Sequence, residues 1–237
     1  MDSRWRCILL VVAVATRALA TVECPVPEGA APASIAAQGA EVRLRYLSKL
    51  LSEEGAAARR WTFAWGGTYA LLGLAQLGVL PLFDKPEWPD WYWGAASSLV
   101  GVAFSVLDPL EVLHEGDGFA RRAAAAGDDD TCRVLAEGER LLREGAEHEA
   151  DGRSWLIHGG NVLFNAGIGL VLGLGYGRWV SGLINFAVGA LIGELTIFTS
   201  PNQLIAGWKQ YRGASGGTPV SVRVVPLGPG LGLVVSF

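Results

Sequence analysis

Residues 61–83 read WTFAWGGTYALLGLAQLGVLPLF, and no side chain among them is charged at neutral pH. A helix needs ~20 predominantly apolar residues to cross a hydrocarbon core, so this stretch predicts a membrane span. Outward from it, the charged segment KLLSEEGAAARR (49–60) precedes, and a second apolar run, Trp91–Leu107, follows and stops at Asp108-Pro109. The same order returns downstream. RLLREGAEHEADGR (140–153) leads into SWLIHGGNVLFNAGIGLVLGLGYG (154–177), and Trp179–Gly193 with its continuation stops at Ser200-Pro201. Charge, tryptophan, Gly-Gly, apolar run, aromatic restart and X-Pro stop are shared by both. The links DKPEWPD (84–90) and GYGR (175–178) are short enough to force antiparallel neighbours.

The predicted fold is therefore all-α: a polytopic membrane four-helix bundle made of two tandem repeats, each an amphipathic helix plus a transmembrane hairpin. Residues 34–115 form repeat 1 and residues 131–211 repeat 2. Between them, 116–130 (GDGFARRAAAAGDDD) reads as a polar linker. In each repeat the first helix shows apolar residues at helical spacing among charges: Val42, Tyr46, Leu47, Leu50 and Leu51, then Val134, Leu135, Leu141 and Leu142. In the tail, 212–237, Val220–Val225 and Leu231–Phe237 flank Gly228-Pro229-Gly230 and predict a short β-hairpin. Tryptophans cluster at run starts (Trp61, Trp91, Trp93, Trp155, Trp179), where an indole's apolar ring and N–H suit the membrane interface.

At the N-terminus, Arg4 and Arg6, the apolar Cys7–Ala15 and the small-residue stretch Ala18-Leu19-Ala20 predict a signal peptide over 1–20, followed by a flexible Pro/Ala lead over 21–33. Export then leaves Cys24 and Cys132 to pair as a disulfide. It also puts the mature N-terminus, residues 116–153 and the C-terminus outside, although the flanking charges do not clearly obey the positive-inside rule. The expected location is a membrane, inner or plasma. Hydrophobic residues make up 51% of the chain, above the usual soluble level, and mean hydropathy is positive at +0.32. Charge is segregated: residues 111–153 hold twelve Asp or Glu against six Arg. A sequence pI of about 5.4 and the lack of a basic patch argue against nucleic acid as a partner. The expected partners are the lipid bilayer and a protein docking on the amphipathic helices.

Each predicted span carries a small or polar stripe. Gly66, Tyr69, Gly73 and Gln76 lie on one face of span one, and Gly182, Asn185, Gly189 and Gly193 on one face of span four. Close helix packing in lipid uses such residues, and this accounts for most of the stripes. Span three is the exception. His158, Asn161 and Asn165 fall at i, i+3 and i+7, and polar groups at membrane depth often mark a pathway or binding site. The candidate polar site is His158, Asn161, Asn165, Asn185, Gln76 and Glu194. Glu194 lies on the opposite face of its helix from Asn185 and near the span's end, close to water. No second His or Cys stands at ligand spacing, and no G-x-S-x-G, H-E-x-x-H or Walker A motif is present. No catalytic residue, metal or cofactor is expected. The leading expectation is a non-enzymatic scaffold or interaction protein; the alternative is a small transporter or channel component with a polar cavity around His158, Asn161 and Asn165.

Overall fold

The computed structural model describes residues 22–107, 112–213, 221–227 and 230–236. The signal-peptide reading of 1–20 lies outside them, as does Asp108. Seven α-helices follow in chain order: α1 Ala40–Gly78, α2 Trp88–Leu107, α3 Val112–Ala125, α4 Thr131–Asp151, α5 Trp155–Leu170, α6 Trp179–Thr199 and α7 Gln203–Arg212. α5 continues into a π turn, Val171–Gly175. Two strands, β1 Ser221–Leu227 and β2 Gly230–Ser236, pair antiparallel from Ser221↔Ser236 to Leu227↔Gly230.

The helices divide into a packed layer and an apolar layer. In the packed layer, the first half of α1 buries Leu47, Leu51 and Ala58 against Val134, Leu135, Leu142 and Ala146 of α4 and Leu204 and Tyr211 of α7. Within each helix these side chains fall mostly four or seven residues apart, so each helix turns one stripe inward. The apolar faces that were expected to await a partner thus cover one another. In the apolar layer the pattern inverts: Phe63, Leu71, Leu163 and Val180 are each at least 70% exposed. All large exposed hydrophobics among the described residues lie in this layer except Val26 and Val42. Water would penalise such a surface at ~25 cal/mol per Å²; lipid does not. Among the described residues three helices are long and apolar enough to cross a membrane, and they are α1, α5 and α6. The predicted span at Trp91–Leu107 lies in α2, which falls short of that apolarity because Trp, Tyr, Ser and Gly occupy much of it.

Two local outcomes differ from the sequence expectation. The predicted linker at 116–130 is mostly helix: α3 spans Val112–Ala125 and lies along α1, with Phe119 fully buried. Gly116, one of the glycines that suggest a linker, serves close packing instead, as does Gly138 of α4. A Cβ on Gly116 would stand 2.3 Å from the Leu51 carbonyl oxygen, and one on Gly138 would stand 2.3 Å from the Phe119 ring. The alanine run that follows has the highest helix propensity of any residue type. Second, the two amphipathic helices meet their apolar continuations differently. α1 runs unbroken for 39 residues, about 58 Å at 1.5 Å per residue, because Gly55-Ala56-Ala57-Ala58 contains nothing that stops a helix. α4 and α5 are separated at Gly152-Arg153-Ser154, where Gly152 ends one helix and Ser154 begins the next.

Cys24 and Cys132 form a disulfide across a sequence separation of 108. It ties the N-terminal lead to the start of α4. Replacing both cysteines with serine is expected to cost about 2–5 kcal/mol of stability, read as a lower melting temperature in detergent.

Candidate functional site

α5 and α6 pack closely because small residues face each other. A Cβ on Gly182 would fall 2.4 Å from the Gly169 carbonyl oxygen. Along the same seam, Cβ atoms on Gly189 and Gly193 would each lie 2.0 Å from an amide oxygen, of Asn165 and Asn161 respectively. The stripe on α6 therefore makes room for the polar side chains of α5. These form a ladder. His158 Nδ1 stands 2.6 Å from Glu194 Oε2. Asn161 Nδ2 donates to Glu194 Oε1 (3.0 Å) and to the Ala190 carbonyl (2.9 Å). Asn165 Nδ2 donates to the Asn161 carbonyl (2.9 Å) and to Asn161 Oδ1 (3.0 Å). Glu194 is thus held by two partners across the helix pair, where the helical wheel alone leaves it near water. Asn165 is buried; His158 and Glu194 are partly open at the end nearer the packed layer.

Beyond Asn165 the polar path widens. Between the α1–α2 hairpin and the α5–α6 hairpin lies a cavity of about 440 Å³, lined in part by Tyr69, Gln76, Trp91, Ser97, Asn165 and Asn185. Within its walls Ser98 Oγ donates to Gln76 Oε1 at 3.2 Å, and Asn185 Nδ2 donates to the Ser181 carbonyl at 3.1 Å. Gln76 and Asn185 do not join the ladder directly; Asn165 belongs to both features. At the packed-layer end the hairpins are pinned by Trp65 Nε1 to Thr199 Oγ1 (2.9 Å) and by the hydroxyls of Tyr69 and Thr196 (2.8 Å). At the far end Arg178 grips Asp90 with two bonds, 2.7 and 2.5 Å, beside Glu87. These pins and the Arg178–Asp90 pair are not legible in sequence. Arg178 sits in a short link, and its partner lies 88 residues away.

A second polar cluster joins the packed layer to the apolar one. The N-terminus of α7 presents its free N–H groups to two buried carboxylates. Gln203 N donates to Glu54 Oε1 (3.0 Å), and Leu204 N and Ile205 N donate to Glu149 Oε2 (3.0 and 3.2 Å). Asn202, the residue preceding α7, makes no side-chain cap of its own, so side chains from α1 and α4 do the capping. Burial, then the charge of Glu54, push the Glu149 carboxyl up to about 9. Arg153 lies close by and donates to the carbonyls of Phe198 and Ser200 at the end of α6. This cluster had a readable signal: Glu54 and Glu149 each fall seven residues after a buried leucine, Leu47 and Leu142, on the apolar face of an amphipathic helix.

Among the described residues, no group of three His, Cys, Asp or Glu side chains converges where a metal ion would sit. Against family models, curated proteins and solved structures the chain finds no match.

Proposed function

We propose that this chain is a four-span membrane protein acting as a small transporter or channel component, with the second half of α1, α2, α5 and α6 as the spans. In this reading the chain is two tandem units, each an amphipathic helix and a hairpin, and the cavity lies between the units. One observation carries the proposal: the ladder His158–Glu194–Asn161–Asn165 runs without a gap into the polar cavity. Asn165 stands ten residues into α5, about 15 Å along the axis and so near the middle of a core ~30 Å thick. A polar chain that deep is costly without a use. The pins at the packed-layer end leave movement between the hairpins open. Each interhelical bond in lipid is worth ~0.6–2 kcal/mol, enough to favour one arrangement and too little to lock it. The disulfide supports an oxidising compartment for the packed layer, which agrees with export by a signal peptide. α2 is the least apolar of the four, which suits a helix whose polar face lines a cavity and whose other face meets lipid.

The test is flux. Protein reconstituted in liposomes is expected to raise permeability above that of empty vesicles, and Asn165→Leu, close in size but without the amide, is expected to abolish the increase. Unchanged flux in that variant overturns the assignment. The scaffold reading ranks second and rests on the acidic excess of residues 111–153, since the apolar helical faces are already covered; a partner captured only when residues 116–153 are intact would favour it.

A further inference from the structure

The lining of the cavity bears on what it accommodates. Its interior polar groups are amides and hydroxyls, among them Tyr69, Gln76, Ser97, Ser98, Asn165 and Asn185. None carries charge at neutral pH, and together they offer both donors and acceptors. The charged side chains in the lining, Glu87, Asp90 and Arg178, sit at the far-end mouth, where Asp90 and Arg178 neutralise each other. An ion placed deep inside would exchange its hydration shell for neutral amides and hydroxyls, with the charged side chains left at the mouth, which is a severe desolvation cost. A filter that strips an ion does so with oxygens converging on one point. Here the oxygens are spread along two walls, and Gln76 Oε1 already accepts from Ser98, while the amide nitrogens of Asn165 and Asn185 donate to Asn161 and to the Ser181 carbonyl. The remaining walls are apolar, with Leu72, Ile168, Ile184, Val188 and the Trp91 indole among them. The volume lies in the range of small-molecule sites.

We infer that the cavity binds a small uncharged polyhydroxylated solute, whose hydroxyls pair with the amide and hydroxyl walls while its C–H faces rest on the apolar ones. This inference rests on the transport reading and narrows it to a solute class. The solute enters from the far end past Arg178 and Asp90. At the other end the path is shut by the Trp65–Thr199 and Tyr69–Thr196 bonds and by the ladder packed against Gly189 and Gly193. The selectivity follows from the same lining: neutral hydrogen-bonding molecules are accepted and inorganic ions are rejected.

Equilibrium dialysis of radiolabelled sorbitol against the full chain in detergent tests this directly, with efflux of sorbitol, potassium and chloride from liposomes measured in parallel. The expected result is saturable sorbitol binding that is insensitive to potassium chloride and weakened about tenfold or more by Asn185→Leu, the order of one lost hydrogen bond. Ser97→Ala removes a cavity hydroxyl without adding charge, so it is expected to weaken binding as well while melting like the parent. Sorbitol binding without flux supports the solute class and overturns transport. Ion flux without sorbitol binding overturns the solute class and leaves transport standing. Neither binding nor flux overturns both.

Discussion

Glu149→Ala is expected to lower stability by about 2–4 kcal/mol, because it strips the acceptor from two backbone N–H groups at a buried helix start, each costing ~1–3 kcal/mol when unmet. The affected donors are Leu204 N and Ile205 N, and Leu204 is itself in the core. Glu149→Gln has a different expected outcome. A glutamine keeps an oxygen for those two N–H groups and offers its amide N–H to Glu54 in place of the proton. It is expected to hold or raise stability at neutral pH. The pH dependence has a definite sign. The carboxyl titrates at about 9 in the fold against an ordinary value near 4.5, so between those values the folded chain retains a proton that the unfolded chain has released. Stability therefore falls as pH rises through that window. Glu54 from α1 and Arg153 from the α4–α5 link are the charged groups facing it. In Glu149→Gln the slope across pH 5–9 is expected to flatten. Melting temperatures of both variants at several pH values check this, and an alanine variant as stable as the parent removes the capping account.

Arg43→Ala is expected to cost more, about 3–5 kcal/mol, the usual result of deleting one partner from a buried ion pair. Arg43 is 1% exposed. Its guanidinium donates to the Tyr211 hydroxyl (3.0 Å), to the carbonyls of Cys24 (3.3 Å) and Pro25 (2.9 Å), and to Glu139, which also accepts from Tyr211. One side chain thus joins the N-terminal lead, α4 and α7. Burial and then Glu139 push the Tyr211 hydroxyl well above the ordinary phenol value, so this phenol stays a donor at any physiological pH. Arg43→Lys is expected to recover only part of the loss, since a single ammonium has three donors and no planar fork to spread over four acceptors. Denaturation of the detergent-solubilised protein reads both variants, and an unchanged midpoint for Arg43→Ala would contradict the burial.

Much of the helix layout was legible in the sequence. The Trp61–Phe83 run, the stop at Ser200-Pro201 and the start of α4 at Thr131 all follow from local chemistry, and the structure has helices there. The membership of the ladder was legible in part: His158, Asn161 and Asn165 share a face by helical spacing alone. What brings Glu194 onto them is the rotation of α6 set by Gly182, Gly189 and Gly193, a packing fact that no single-helix wheel contains. Much of 116–130 is helix where its sequence predicts a linker, because glycine signals both a loop and a close crossing, and only the partner across from Gly116 distinguishes them. Arg43 and Arg178 were hidden for a related reason. Their partners lie 96 and 88 residues away, and pairing at that range is decided by topology.

The unbroken α1 sets the two halves of the molecule apart mechanically. As a single stiff rod it behaves as a lever: a tilt of about 5° at the foot swings the tip by roughly 5 Å over its length. The other half has a joint at Gly152–Ser154, so its hairpin can pivot while its amphipathic helix stays docked. A change in the angle between the two hairpins would alter the space around Gln76 and Asn185, and the Trp65–Thr199, Tyr69–Thr196 and Arg178–Asp90 bonds limit how far it goes.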